Sequence, residues 1–237
     1  MQRGELLYSG KAKSIFRTAD ESRLFMEFRD DTSAFDGRKT AALNRKGKVN
    51  NYFNAFIMDA LEETGIRTHM DSLLDDNASL VKHLDMIPVE CVVRNITTGS
   101  ICKRLGVKEG LELKEPTFEF FLKNDELHDP MINQYHIRSF GWATDEEVRR
   151  MTDLTFATNA VLSALFRKAG IVLVDFKLEF GRYEGDLLLG DEFTPDGCRL
   201  WDIETREKLD KDRFRQGLGD VVESYEIAAN RLGISIP

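Results

Sequence analysis

The stretch Ile171 to Asp202, IVLVDFKLEFGRYEGDLLLGDEFTPDGCRLWD, decides how the chain folds. Its first half carries β-branched and large apolar residues without helical spacing, which reads as a strand. Successive side chains of a strand point to opposite faces. Asp175, Lys177 and Glu179 therefore share one face, and Val174, Phe176, Leu178 and Phe180 the other. The turn-forming run Gly181 to Asp186 leads to a second apolar strand, Leu187 to Leu189, ending in Gly190-Asp191-Glu192. Paired as a hairpin, the two strands return Asp191 to the neighbourhood of Glu179. Two carboxylates and a lysine are costly to bury unpaired. A divalent cation and a phosphate between them account for the set. Spacing alone is equally compatible with an amphipathic hairpin whose charged face is solvated.

Outward from this hairpin, 237 residues suffice for one large domain or two small lobes. A hydrophobic content of 42% with 31% charged residues is ordinary for a soluble globular protein. No window reaches the roughly 18 consecutive apolar residues of a membrane span, and MQRGELLYSG is too polar for a secretory signal. Cys91, Cys102 and Cys198 have neither disulfide nor zinc spacing, so the cytoplasm is the expected location. The net charge of −8 argues against nucleic-acid binding. Positive charge clusters locally at Lys11 and Lys13 and again over Arg38, Lys39, Arg45, Lys46 and Lys48, which fits small anions better than a polymer.

Residues 6 to 28 read as antiparallel strands, Leu6-Leu7-Tyr8, Ser14 to Arg17 and Leu24 to Phe28. The loop Ser9-Gly10-Lys11-Ala12-Lys13 joins the first two, and such a loop folds over polyphosphate when its N–H and ammonium groups face inward. It lacks the spacing of a P-loop. Asn50 is placed to cap a helix to about Thr64, ended by Gly65, and Leu80 to Met86 reads as a strand with its exit. The change of character at Met86 to Pro88 marks a boundary between lobes 1–87 and 88–237. Val89 to Asn95 alternates, with Glu90, Val92 and Arg94 on one face. Gly99-Ser100 opens a short helical run, either as an anion site or as a simple Ser cap.

Phe118 to Lys123 is strand-like and leads to a loop with His128 and Asp129; the four histidines lack metal-ligand spacing. Thr144 with Glu147 forms a capping box for a long helix to about Lys168, stopped by Gly170. A last helix is expected from about Asp210 to Leu232, burying Leu218 among others. Its first turns hold Lys211, Arg213 and Arg215, cations where the helix dipole favours acids; the misfit is compatible with an anionic ligand there or with partial compensation by Asp210 and Asp212. The fold class is α+β in two lobes: an N-terminal antiparallel sheet lobe and a larger mixed α/β C-terminal lobe.

In this order the motifs resemble the bacterial, short, single-function SAICAR synthetases (phosphoribosylaminoimidazole-succinocarboxamide synthases). The resemblance rests on Tyr8 to Lys13, Arg29 to Gly37, Arg45-Lys46-Gly47, Pro88 to Asn95 and Gly99-Ser100. It continues through His128-Asp129-Pro130, Leu173 to Gly181, Leu189 to Trp201 and Asp210 to Arg215. It implies an ATP-dependent ligation of L-aspartate to the carboxylate of carboxyaminoimidazole ribonucleotide, with a distantly kinase-like nucleotide cleft, Mg²⁺ and a homodimer.

By the same resemblance, lobe 1–87 takes ATP through Gly10, Lys11, Ala12 and Lys13, the walls Ile15, Leu24 and Met86, and the linking strand with Val81, Lys82 and Leu84. Glu179 and Asp191 hold Mg²⁺ against the phosphates, and Glu90 and Asp36 a further Mg²⁺. Arg94, Ser100 and Arg199 hold the ribonucleotide phosphate and Asp175 its ribose. Lys177 stands at the developing acyl phosphate, so that Lys177, Lys13 and Asp175 are the catalytic set. Lys211, Arg215, His128 and Asp129 are implied for aspartate. A kinase-like phosphotransferase would use the same lysines and carboxylates, but the H-R-D-x-x-x-x-N loop of protein kinases is missing. A non-catalytic nucleotide-binding protein leaves the Asp175, Lys177, Glu179 and Asp191 set without a reason.

Overall fold

The computed structural model describes residues 2–34 and 37–237. The first part of the chain forms β1 (Leu6–Ser9), β2 (Lys13–Arg17), β3 (Arg23–Phe28), β4 (Asp31–Ala34), β5 (Lys39–Ala42) and α1 (Lys46–Glu62). It continues with β6 (Met70–Asp75), β7 (Ala78–Lys82), β8 (Asp85–Ile96) and α2 (Ser100–Leu105). There follow β9 (Glu112–Leu122), β10 (Met131–Ile132), α3 (Gln134–Ser139) and α4 (Asp145–Lys168). The chain closes with β11 (Ile171–Tyr183), β12 (Asp186–Gly190), β13 (Cys198–Asp202), α5 (Asp212–Gln216) and α6 (Val221–Arg231).

Two antiparallel sheets carry the architecture. The first has the order β1-β2-β3-β7-β6; the second has β10-β9-β8-β11-β12, with β13 also paired to β11. β4 and β5 form a separate ribbon. One apolar cluster runs through both sheets and four helices, α1, α3, α4 and α6. It includes Met26 and Phe28 of β3, Phe53 and Ile57 of α1, Met151 and Phe166 of α4, and Phe176, Leu178 and Phe180 of β11. No helix is long and apolar enough to cross a membrane among the described residues.

Several expectations shift. α1 begins at Lys46, a turn before Asn50, and its N-cap residue Arg45 makes no side-chain cap. Asn50, Asn51 and Asn54 are fully buried. They serve tertiary contacts instead: Asn51 donates to the Asp75 and Ala78 carbonyls and accepts from Ser79, and Asn54 accepts from the Phe193 N–H. The strand expected over Leu80 to Met86 is two strands, because β7 ends at Lys82 and Asp85 already pairs with Arg182 of β11. The change of sheet thus falls between Lys82 and Asp85, ahead of the 87/88 position. The expected last helix is broken into α5 and α6, since Gly217 and Gly219 adopt φ of 69° and 72° and interrupt the helical run. Leu218 is accordingly exposed.

Within the deciding hairpin, β11 continues to Tyr183, and β12 pairs with it in the register Glu179↔Gly190. Asp191 therefore follows directly after the residue opposite Glu179. Val174 departs from its expected face. The pairing with β13 shifts between Leu173 and Asp175, so Val174 is an extra residue in a bulge. It packs with Ile96 and Trp201, while Leu173 and Phe176 share the main core. The expected capping box is present: the Glu147 N–H donates to the Thr144 hydroxyl (3.2 Å), and the Thr144 N–H donates to the Glu147 carboxylate (2.7 Å). α4 then runs to Lys168 and Gly170 follows at φ 71°.

Candidate active site

β11 is a central strand, so its charged face meets neighbours on both sides. Asp175 lies opposite Arg94 of β8 and Arg199 of β13. Its Oδ2 accepts from Nη1 of both arginines, each at 2.8 Å. Arg94 also donates to Glu119 (2.8 Å) and to the Ser100 hydroxyl (3.1 Å), and Arg199 donates to Asp212 (2.8 Å). Gly99 lets the Arg199 guanidinium come close to the backbone here, since a Cβ at residue 99 would meet Nη2 at 2.7 Å. Arg94 and Asp175 are buried, and a guanidinium shared among carboxylates is held in one orientation by its fixed fork of donors.

Four residues along the strand the charges reverse. Glu179 lies opposite Glu90, a juxtaposition that repels unless cations intervene. The cations are supplied. The Lys177 ammonium donates to Glu90 (2.9 Å), to Glu179 and to Asp191 (3.3 Å). Lys123, just past the end of β9, donates to the same oxygen of Glu179. Lys13, at the start of β2, donates to both Asp191 and Glu192. Asp191 adopts φ 63°, which breaks the strand alternation and lets two consecutive carboxylates reach one ammonium. Glu90, Glu179, Asp191 and Glu192 against Lys13, Lys123 and Lys177 leave one negative charge in excess.

The electrostatics follow from this crowding. Burial opposes the Lys177 ammonium, but Glu179 and Glu90 override it and raise its pKa above the ordinary lysine value. Burial likewise works against ionised Glu179, and Lys177, Lys123 and Lys13 reverse that and lower it. Glu192 is held at about 2, because Lys13 outweighs its burial. For Glu90 burial prevails over Lys177, and its carboxyl is raised. The cluster is charged and dry enough for its charges to act strongly on one another.

Two adjoining cavities open above β11. One, of about 360 Å³, is lined by Gly10, Lys11, Ala12, Lys13, Lys177, Asp191, Lys211 and Arg215. The other, of about 460 Å³, is lined by Arg94, Ser100, His128 and Pro130, and Glu90 and Asp129 line both. The residues expected for aspartate are therefore divided: Lys211 and Arg215 in the first cavity, His128 in the second, Asp129 between them. Glu179 is buried beneath, and Asp175 and Arg199 stand behind the second cavity without lining either.

Ile15 pairs with Met26, and Leu24 with Val81, within the first sheet. β7 is flanked on both sides by β3 and β6, so Val81 and Lys82 are engaged in the sheet. The Lys82 ammonium donates to the Thr68 and Met70 carbonyls. Leu84 and Met86 press on Gly181 and Gly190, where a Cβ at residue 181 would lie 2.6 Å from Leu84. Asp36 lies outside the described residues.

Lys123, Glu192 and Asp196 were not singled out by spacing, and Lys46, expected in a basic cluster suited to small anions, is instead buried. Lys123 closes the strand-like run from Phe118, and Glu192 adjoins Asp191, but only the register and the turn at Asp191 aim them at the cluster. Asp196 lines the first cavity and holds the buried Lys46 at 2.7 Å.

This geometry has relatives. Residues 6–232 match the family described as SAICAR synthetase. The chain belongs to the SAICAR synthetase family. The phosphoribosylaminoimidazole-succinocarboxamide synthase of Idiomarina loihiensis is 64% identical over 236 residues, covering 100% of both chains. That of Alcanivorax borkumensis is 65% identical over 235 residues, covering 99% of each. Among solved structures, the synthase from Ehrlichia chaffeensis superposes with a TM-score of 0.95 at 45% identity, over 98% of this chain and 99% of that one. A SAICAR synthetase in complex with ADP superposes with a TM-score of 0.94 at 45% identity, over 98% and 99%. The antiparallel architecture described above is thus that of SAICAR synthetases.

Proposed function

We propose that the two adjoining cavities divide the work of an ATP-dependent ligase. The reaction joins L-aspartate to the carboxylate of carboxyaminoimidazole ribonucleotide in purine biosynthesis and releases ADP and phosphate. A carboxylate resists attack by an amine, so one of its oxygens first takes the γ-phosphoryl group from ATP. The aspartate amine then attacks the acyl carbon, the C–O bond to phosphate breaks, and the amide forms with loss of one amine proton. The observation that carries this reading is the pair of charge arrangements on β11: cations around Asp175 at one end, carboxylates around Lys177 at the other.

Lys11 and Lys13, with the Gly10–Ala12 backbone, receive the ATP phosphates under the first hairpin. Ile15, Leu24, Leu84 and Met86 wall the base, with Val81 and Lys82 in the sheet behind. Arg94 and Ser100 receive the ribonucleotide phosphate. Asp175 fixes Arg94 and Arg199 relative to each other and faces the ribose side. Lys177, on the wall of the first cavity and bonded to the Glu90 that lines both, neutralises the acyl phosphate as it forms, and Lys211 and Arg215 face the aspartate.

Glu179 and Asp191 are the residues to hold Mg²⁺, with Glu90 and Asp36 for a second ion. The donor set fits such a cation: carboxylates opposed across strands with one negative charge in excess. Among the described residues no three such side chains form a ready cage, because ammonium groups stand between them. That suits an ion shared with phosphate oxygens, as Mg²⁺ is usually bound. When bound, it supplies further charge neutralisation at the transferring phosphoryl group. The homodimer and the cytoplasmic location implied by the resemblance belong to the same proposal, and sedimentation tests the first.

ADP release measured with each substrate omitted in turn tests the function. Release is expected only with ATP, ribonucleotide and aspartate together. Equal release without aspartate or without the ribonucleotide would overturn the reading.

A further inference from the structure

Asp196, in the loop between β12 and β13, is the most heavily engaged carboxylate on the cleft wall. Its Oδ2 accepts from the Lys46 ammonium (2.7 Å) and from the Asn50 amide (3.0 Å). Its Oδ1 accepts from the Tyr225 hydroxyl (2.8 Å). The donors come from α1 and α6, elements distant in sequence from the hairpin. Lys46 and Tyr225 are 0% exposed. A structural ion pair explains Lys46 only in part, since apolar residues of similar volume often replace buried ion pairs at no cost in stability.

The second observation is at Lys211. Among the described residues Asp196 is the only carboxylate within 4 Å of this ammonium, at 3.9 Å from the same Oδ1 that Tyr225 occupies. That is beyond hydrogen-bond distance. Its neighbours are better served: Arg213 donates to Glu207 at 2.8 Å and Arg215 to Asp212 at 2.6 Å. Glu192, also near Lys211, is engaged by Lys13. Burial lowers the Lys211 pKa, and Asp196 does not offset it against Arg215 and Lys46. A cation largely removed from water, with its one carboxylate already taken, is short of an anion.

We propose that Lys46, Asn50 and Tyr225 saturate Asp196 so that Lys211 stays unneutralised on the cleft wall and receives a carboxylate of the amino-acid substrate. Lys46 and Tyr225 are then positioning residues that act through Asp196 on a ligand they never touch. The inference rests on the ligase reading above. A carboxylate or phosphate of the ribonucleotide would offer similar chemistry. The amino acid is favoured because the ribonucleotide's cation, Arg94, lines the other cavity, which Lys211 and Arg215 do not.

The test is steady-state ADP release by the full chain, with one substrate varied and two saturating. Tyr225→Phe keeps the ring and removes the hydroxyl from Oδ1, and Lys46→Met removes the ammonium from Oδ2 and leaves only the neutral Asn50 amide there. Each gives Lys211 an oxygen of Asp196 to close upon. The KM for aspartate is expected to rise about threefold to tenfold in both, with kcat and the KM values for ATP and ribonucleotide within about twofold. In a Lys211→Met background, Tyr225→Phe is expected to have no further effect on the aspartate KM, whereas a merely structural role adds its own. An unchanged aspartate KM in folded Tyr225→Phe, or a rise confined to the ribonucleotide, overturns the proposal. Wild-type ADP release indifferent to aspartate sinks the ligase reading instead, before any variant is made.

Discussion

Asp191 shows how much one backbone conformation decides. At φ 63° it sits where residues other than Gly, Asn and Asp are rarely found, and from there it reaches both Lys13 and Lys177. Asp191→Asn preserves shape and backbone tolerance but removes the charge that two lysines share and that the proposed Mg²⁺ would use. Turnover is expected to fall by about a hundredfold or more while the far-ultraviolet circular dichroism spectrum stays unchanged. Near-normal kcat in that variant would overturn the proposed role of Asp191 in holding Mg²⁺. At this scale the sequence was informative but ambiguous. Alternation put Asp175, Lys177 and Glu179 on one face, yet nothing in the spacing distinguishes a solvated ribbon from a buried cluster. Lys123 and Glu192 were invisible for the same reason, since strand register and a left-handed turn aim them.

Among the elements, α4 was the most legible. Its capping box is a local device, made by residues three apart, and needs no tertiary help. Arg182 of β11 donates to the same Glu147 and so ties the hairpin to the helix start. The hydrogen bond from Arg182, helped by the Thr144 groups, overrides burial and holds the Glu147 carboxyl at about 2. Thr144→Ala is expected to cost about 1 kcal/mol in urea unfolding, with little change in the slope of the transition. A loss under a few tenths would mean that Arg182 alone holds the helix end. α1 and the last helix misled for opposite reasons. Asn50 has the residue type of a cap but is engaged by Asp196, across the molecule. The apolar spacing through Phe214 and Val221 continues past two glycines that break the backbone.

Over the whole molecule, the shared core leaves buried titratable groups whose effect on folding is global. His69 is 6% exposed, and its Nε2 has no hydrogen-bond partner among the described residues. Burial, with Lys13 adding to it, lowers its pKa to about 3. An unfolded chain takes up this proton near pH 6.5, while the native state does so only near pH 3. The unfolded state thus binds more protons between those values, and His69 erodes stability as the pH falls through that window. The slope amounts to about 1.4 kcal/mol per pH unit. Urea unfolding from pH 7 to pH 5 is expected to show His69→Gln losing less stability than wild type. Parallel curves would place the imidazole in contact with water.

By itself, the sequence determined that the chain is α+β, where most strands and the long capped helix lie, and that Asp175, Lys177 and Glu179 share one strand face. Those properties depend on residue type and on spacings of a few residues, so they are local. Tertiary structure decided that β11 is central rather than an edge. It brought Lys13, Lys123 and Lys177 from three separate segments into one cluster of carboxylates, and it delivered Lys46 and Tyr225 to Asp196. These meetings arise from register and packing between segments far apart in the chain, which burial energetics select over the whole molecule and no local pattern encodes.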